Sequence, residues 1–283
     1  MVYLTEKQQI KLGQPKVISR RGHKLVVFWD TETCNYDRLI FDCSFRIVDI
    51  TLGKAIEKYS FVVLDCYKTP KIIKGIFSRR KYKKYKPMLN SGEYRLITRQ
   101  ELITFINNMC QEYNITAFGA YNIEFDLQAM YNTLTYTNKR MKYFKKPLIN
   151  DIQELELFNH DMLDIWANAS VIFASKEYKA WYQENNYPLT KKGFMHTSVQ
   201  YLKMFLAYKG LYQEQHTGQA DISDELDLYL IIAILRYDSR IILNVSGRQM
   251  LALATLNKVS KSSKLYKDLV KYERFIPKEK IKA

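Results

Sequence analysis

The stretch KLVVFWDTET, residues 24–33, decides the fold. Its five consecutive apolar residues, 25–29, are typical of a strand buried on both faces at the centre of an α/β sheet. Asp30 and Glu32 follow at the C-terminal end of this strand, where side chains two positions apart point the same way. Paired carboxylates at the edge of an apolar core call for a cation, and Mg²⁺ or Mn²⁺ prefers oxygen ligands. The alternative is a solvated strand end, because acids two residues apart are common.

The charge balance of the chain indicates a polyanionic partner. The 283 residues include 44 Lys and Arg against 29 Asp and Glu, which gives a formal net charge of +15. This excess favours nucleic acid over a membrane, because no segment resembles a basic amphipathic anchor. A basic protein without a nucleic-acid partner is the alternative.

Membrane and secreted classes are not expected. No apolar run approaches the roughly 20 residues of a membrane-spanning helix, and the N-terminus MVYLTEKQQ has no signal-peptide profile. The cysteines show no Cys-x-x-Cys spacing, so we expect free thiols rather than disulfides or a zinc site, at Cys34, Cys43, Cys66 and Cys110. We therefore expect a cytoplasmic protein, in a bacterium or a phage-infected host.

Hydrophobic periodicity predicts alternating strands and helices. Strands at 39–51 and 58–64, with Gly53 in the turn between them, are expected to form an antiparallel meander with the first strand. Thr98 and Glu101 can form the capping box of a helix at 98–113. The other predicted elements are a strand at 115–121, a strand or strand–helix junction at 162–174 that bears Asp161 and Asp164, and helices at 197–208 and 241–256.

A basic segment at 68–95 interleaves cations with Tyr82 and Tyr85. Cations contact phosphates and aromatic rings stack on bases, so this composition suits single-stranded nucleic acid. The alternative is a solvated basic loop.

Two more places can supply acidic ligands. Asp126, in NIEFD, lies near the first turn of a helix that follows the strand at 115–121, at the sheet edge where α/β proteins place their sites. His216 and Asp221 are five residues apart, which corresponds to about 140° on a helix, so one continuous helix cannot aim both at one point. Gly218 between them predicts that His216 lies on a loop and Asp221 on the helix that follows, so that the two can converge.

Taken in order, these motifs resemble the three motifs of the DEDDh exonucleases. That group belongs to the ribonuclease H-like superfamily and includes the proofreading subunit of bacterial replicative polymerase. The resemblance spans about residues 24–235 and implies a pair of divalent cations, Mg²⁺ or Mn²⁺, bound by Asp30, Glu32, Asp126 and Asp221, with His216 as general base. Thr217 stands where the tyrosine-bearing sister group has its tyrosine, and Asp224 ranks below Asp221 as the last ligand.

The resemblance implies one α/β domain of ribonuclease H-like architecture, with a mixed five-stranded sheet flanked by helices. We expect a lead-in at 1–23, an exonuclease domain at 24–240 with the basic insertion around 68–95, and a helical, basic extension at 241–283. Residues expected to shape the substrate pocket are Thr31, Thr33, Asn122 and Phe125, whereas structural roles are expected for His23, His160 and His196.

The predicted function is metal-dependent 3′–5′ exonucleolytic hydrolysis of single-stranded DNA. An exoribonuclease stays open as an alternative, because no motif reports contacts to a 2′-hydroxyl. A catalytically silent nucleic-acid-binding adaptor of the same fold is another. The chain carries no polymerase motif, so a proofreading role would require a polymerase or replication partner in trans.

Overall fold

A mixed sheet forms the centre of the molecule. The computed structural model describes residues 16–19, 25–34, 38–67, 76–143, 155–208, 212–213, 216–235, 240–245 and 247. Its strands are β1 Lys16–Ser19, β2 Leu25–Cys34, β3 Leu39–Asp49, β4 Lys54–Val63, β5 Arg95–Ile97, β6 Ala117–Ala120, β7 Asp161–Asp164 and β8 Arg240–Leu243.

Six of these strands share one sheet in the order β5-β4-β3-β2-β6-β7, while β1 and β8 form a separate antiparallel pair. Strands β2, β3 and β4 form an antiparallel meander, and β6 and β7 continue the sheet parallel to β2. This arrangement is the mixed α/β sheet flanked by helices that we expected. It has one strand more than the five expected, because β5 adds to the edge in parallel with β4.

The helices cover both faces of the sheet. They are α1 Leu64–Tyr67, α2 Ile76–Asn90, α3 Arg99–Glu112, α4 Ile123–Tyr143, α5 Ile165–Phe173, α6 Lys176–Glu184, α7 Val199–Lys203 and α8 Gly218–Leu235, with a 3₁₀ turn at Glu156–Asn159 and a π-helical segment at Met204–Tyr208. No helix in the described ranges combines the length and apolar character needed to cross a membrane.

The apolar run of β2 separates two hydrophobic cores. Val27 and Trp29 point into one core, where they meet helices α3 and α4. Val26 and Phe28 point into the other core, which helices α5 and α8 cover. Because side chains alternate along a strand, Asp30 continues the α8 face and Thr31 the α4 face. Helix α4 therefore packs on one face of β2 and helix α8 on the other.

Most local predictions are confirmed. The meander, the turn at Gly53 (φ +66°), and the capping box of α3 between Thr98 and Glu101 are all present. The cysteines are all free and buried. The predicted junction at 162–174 is strand β7 followed by helix α5, and the predicted helix at 197–208 is α7 followed by the π-helical segment.

Two local predictions are wrong. Residues Arg240–Leu243 form strand β8 rather than the start of a helix, because they pair with Lys16–Ser19; the remainder of the predicted helix at 241–256 lies largely outside the described residues. Tyr85 does not face solvent to stack on bases, since it is fully buried and its hydroxyl donates to Asp42. The side chain of Tyr82 and residues 68–75 lie outside the described part of the chain.

Candidate active site

The C-terminal end of β2 opens into a cleft. Asp30 and Glu32 both line it, on the face of the sheet that α8 covers, as their spacing in the strand predicts. The Oδ2 atom of Asp30 is buried and receives no hydrogen bond from any described residue. A buried carboxylate oxygen without a donor is costly, so this end of the strand needs a positive partner.

Asp126 approaches the same strand end from the opposite face of the sheet. It lies in the first turn of α4 and is 2% exposed, just behind the wall of the cleft. Its Oδ1 accepts hydrogen bonds from the backbone N–H (3.0 Å) and the hydroxyl (2.7 Å) of Thr31. Burial raises the pKa of Asp126 to about 8, although the bonds from Thr31 act in the other direction.

His216 and Asp221 converge as the sequence predicts. His216 is exposed, with φ +54°, and α8 begins two residues later at Gly218. Asp221 lies in the first turn of α8, where its backbone N–H donates to the Thr217 carbonyl at 2.9 Å. Potential ligand atoms of Glu32, His216 and Asp221 all lie within 4.8 Å of one another. The break before α8 therefore brings a histidine and two carboxylates to one point.

The start of α8 is held by a buried carboxylate on β3. Asp42 accepts a hydrogen bond from the Gly218 N–H at 3.0 Å and from the hydroxyls of Tyr85 and Tyr94. A Cβ atom at position 218 would lie 2.9 Å from both Asp42 Oδ1 and Ser44 Oγ, so any larger residue would force this contact to shift. This contact sets the positions of His216 and Asp221 relative to the sheet.

Glu225 is a member of the cluster that sequence reasoning missed. It lies one helical turn after Asp221 on α8, is 3% exposed and lines the cleft. Its Oε2 atom is buried and has no hydrogen-bond donor among the described residues. The sequence feature that could have identified it is its spacing of four residues from Asp221, which puts both side chains on one face of the helix.

The charges of this cluster act on one another. Burial is the largest cause of the raised pKa of Asp30, followed by the negative charges of its neighbours Asp126, Glu225, Asp221 and Glu32. Burial also raises the pKa of Glu225, again with Asp126 as the strongest charged neighbour. Carboxylate and imidazole groups are suitable ligands for divalent cations, and the buried oxygens of Asp30 and Glu225 lack other partners among the described groups. The donor set therefore fits the expected cofactor.

The rest of the cleft lining is aromatic and hydroxyl-rich. The cleft has a volume of about 490 Å³. Tyr121 stacks against Trp166 with 6.4 Å between ring centroids, and its hydroxyl donates to the Thr197 carbonyl. The residues of this wall are Tyr121, Asn122, Phe125, Trp166, Thr190, Met195, His196, Thr197, Ser198 and Val199. The cleft thus combines carboxylates suited to cations with aromatic side chains suited to contact with a planar ring.

The predicted pocket residues are divided between cleft and strand. Thr31, Asn122 and Phe125 line the cleft, and the Arg38 guanidinium lies 5.1 Å from the centre of the Phe125 ring. Thr33 is not among the described residues that line it; it pairs with Ile40 in the β2–β3 ladder.

Other acids near the site have structural partners. Asp224 is held by the Lys203 ammonium and the Tyr212 hydroxyl, so its side chain is engaged away from the cleft. Asp164 is buried and accepts hydrogen bonds from the backbone N–H groups of Asn122, Ala167 and Gly247.

The remaining histidines differ from one another. The His160 ring lies 5.6 Å from the Phe118 ring, in keeping with a structural role. His196 stacks on Tyr201 at 4.9 Å and also lines the cleft, which the sequence had not indicated. His23 lies outside the described residues.

No protein-family model matches the chain, and no curated protein sequence does. Among solved structures, the chain is similar to a zinc-bound complex of Escherichia coli exonuclease I with single-stranded DNA, at TM-score 0.42 and 11% identity, over 77% of this chain and 42% of that one. It is also similar to exonuclease X in complex with duplex DNA that has a 5′ overhang, at TM-score 0.35 and 14% identity, over 81% of this chain and 99% of that one. The chain thus spans less than half the length of exonuclease I. The function proposed below is therefore based on the residues of the cleft.

Proposed function

We propose that this protein is a metal-dependent 3′–5′ exonuclease that hydrolyses single-stranded DNA. The observation that carries the proposal is the group of carboxylates at the end of β2: Asp30, Glu32 and Asp221 line one cleft with His216, and Asp126 lies behind its wall, close enough for its charge to act on Asp30. Carboxylates held this close are stable in ionised form only with positive charge among them.

In this proposal Asp30, Glu32 and Asp221 would hold two divalent cations from the cleft, and Asp126 would be the fourth carboxylate of the metal centre, from behind the cleft wall. Bound Mg²⁺ or Mn²⁺ supplies Lewis-acid polarisation of the scissile phosphate and offsets the charge that develops on the leaving 3′-oxygen. The chain contributes the fixed geometry, because β2 and α8 are rigid elements whose positions the two hydrophobic cores determine.

His216 is proposed as the general base. Its imidazole is exposed at the rim of the cleft, within 4.8 Å of carboxylate oxygens of Glu32 and Asp221. In the neutral form it accepts a proton from the attacking water, and the neighbouring carboxylates stabilise the imidazolium that results. Such a base typically accelerates a reaction by about 10²- to 10⁴-fold.

The shape of the cleft favours the end of a single strand. A volume of about 490 Å³ is enough for one terminal nucleotide. Trp166 and Phe125 contribute aromatic side chains to the lining of the cleft, against which an unpaired base can pack. The net charge of +15 supplies general attraction to a polyanion.

The test uses the full chain, a single-stranded oligonucleotide labelled at its 5′ end, and Mg²⁺ or Mn²⁺. Exonucleolysis from the 3′ end shortens the labelled strand step by step, whereas attack from the 5′ end releases the label at once as a mononucleotide. We expect stepwise shortening that stops in EDTA and is lost in Asp30→Ala/Glu32→Ala.

The matched control is Glu57→Ala/Glu184→Ala, which removes two exposed acids that do not line the cleft and is expected to retain activity. Intact ends in every sample would overturn the proposal, and DNA binding that is insensitive to EDTA would then favour an adaptor. Faster digestion of a matched RNA would correct the substrate to RNA and leave the chemistry unchanged.

A further inference from the structure

Glu225 is buried in the cleft without the partners that a structural acid has. Only 3% of the residue is exposed, and Oε2 has no hydrogen-bond donor in the described part of the protein. The backbone N–H of Tyr121 donates to its carboxylate, which accounts for part of the hydrogen-bonding capacity of the group. The other oxygen, Oε2, receives no donor from the described polypeptide and is available to a bound ligand.

The preceding residue on α8 provides an internal comparison. Asp224 is also buried, but the Lys203 ammonium and the Tyr212 hydroxyl both bind its carboxylate. The same helix therefore shows how the chain neutralises an acid that serves only the fold. Glu225 points the other way, into the cleft with Asp30, Glu32 and Asp221.

Asp126 does not occupy the cleft, so another carboxylate can reach a cation there. Its Oδ1 is engaged by two hydrogen bonds from Thr31, and the residue lies behind the cleft wall rather than on it. Glu225, in contrast, lines the cleft, and its charge acts on Asp30. Both Asp30 and Glu225 keep a buried oxygen that has no donor among the described groups.

We propose, on the basis of the nuclease function above, that Glu225 is a fifth carboxylate of the metal centre and binds a divalent cation together with Asp30. The cation class is a hard divalent ion, because every proposed ligand is a carboxylate that offers oxygen. Glu225 thereby fastens the cation to α8 one turn beyond Asp221.

The experiment measures Mn²⁺ binding to the full chain by electron paramagnetic resonance, in the absence of nucleic acid. We expect Glu225→Gln to weaken the affinity of at least one Mn²⁺ by about tenfold or more, comparable with Asp30→Asn. Asp227→Asn removes one exposed charge from the same helix and is expected to bind Mn²⁺ as the parent does.

Thermal unfolding in EDTA separates a ligand from a structural group. Glutamine has nearly the same shape, and its introduction removes one of several crowded charges, so Glu225→Gln should unfold at the parent temperature or above. Parent-like Mn²⁺ affinity in Glu225→Gln would overturn the proposal. Weakened binding that is accompanied by a lower unfolding temperature in EDTA would also overturn it, in favour of a structural role.

The outcomes for Glu225 and for nuclease activity can be told apart. A parent protein that binds Mn²⁺ through Glu225 but cleaves no strand would overturn the nuclease function and support the ligand. Cleavage and Mn²⁺ binding that are equal in the parent and in Glu225→Gln would overturn the ligand alone and leave the nuclease function in place.

Discussion

Two pairs of buried carboxylates have opposite surroundings in this protein. Asp42 and Asp164 are satisfied: Asp42 accepts from Gly218 and two tyrosine hydroxyls, and Asp164 accepts from three backbone N–H groups. Asp30 and Glu225 each keep a buried oxygen without a donor among the residues described. Burial raises the pKa of all four, to about 7 for Asp42 and Asp164.

The number of hydrogen-bond donors distinguishes acids that stabilise the fold from acids that are available to bind a ligand. Satisfied carboxylates fix the junctions that carry the cleft, since Asp42 holds the start of α8 and Asp164 joins β7 to the turn before α4. The unsatisfied pair lines the cleft between those junctions. Burial alone does not distinguish the two kinds of acid; their hydrogen-bond partners do.

The sharpest test of this comparison is Asp30→Asn. The substitution removes a charge from the unsatisfied pair and keeps the shape, so we expect activity on single-stranded DNA to fall by about 10³-fold or more. The unfolding temperature in EDTA should stay at the parent value or rise, because a crowded charge has gone. A variant that loses stability but retains cleavage would place Asp30 with the structural pair.

Gly218→Ala tests whether the satisfied pair positions the site. The new Cβ would lie 2.9 Å from Asp42 Oδ1 and Ser44 Oγ, so the start of α8 must move and take His216 and Asp221 with it. A displacement of about 1 Å can cost about 100-fold in rate, and steady-state cleavage assays measure it. Gly92→Ala is the control: its φ of +78° strains alanine but no atom lies within 4 Å, so activity should persist.

Asp164→Ala should act mainly on stability. It leaves the buried N–H groups of Asn122, Ala167 and Gly247 without their acceptor, which we expect to cost about 3 kcal/mol of unfolding free energy. This corresponds to a decrease of about 6 to 12 °C in the unfolding temperature. Calorimetry checks the value. Unchanged stability would show that Asp164 does not belong to the satisfied pair.

The smallest effect is a pH dependence of stability in EDTA. Burial raises the pKa of Asp126 to about 8 from 3.8, so between these values the folded state holds a proton that the unfolded state has released. Stability is therefore lost as pH rises through this window. Asn at position 126 can still accept from Thr31, and we expect Asp126→Asn to lose about 4 to 8 °C less than the parent between about pH 6 and 8. Parallel decreases in the two proteins would contradict the prediction.

Local sequence patterns predicted a large part of the site. The alternation of β2 placed Asp30 and Glu32 on one face, and Gly218 marked the break that lets His216 meet Asp221. These predictions succeed because strand and helix periodicity depends on neighbouring residues alone. The roles of the five predicted catalytic residues, and the domain boundaries, stay predictions.

Other features lay beyond local patterns. Tyr85 lies in a basic segment whose composition predicted base stacking. Its side chain is instead buried, and its hydroxyl donates a hydrogen bond to Asp42, 43 residues away in the chain. Asp224 and Glu225 are adjacent acids, and helical spacing alone brings both near the face of Asp221. The contacts of Asp224 with Lys203 and Tyr212, which only the tertiary structure shows, hold its side chain away from the cleft that Glu225 lines.

The amino-acid sequence by itself determined the α/β class, the central strand and the order in which the acidic motifs occur, because these depend on periodicity and residue type. Tertiary structure alone decided which buried acids are satisfied. A carboxylate acquires its donors from segments that are distant in sequence, as Asp42 does from Gly218 and Asp164 from Gly247. Whether a buried acid serves the fold or a cation therefore becomes visible only after the chain has folded.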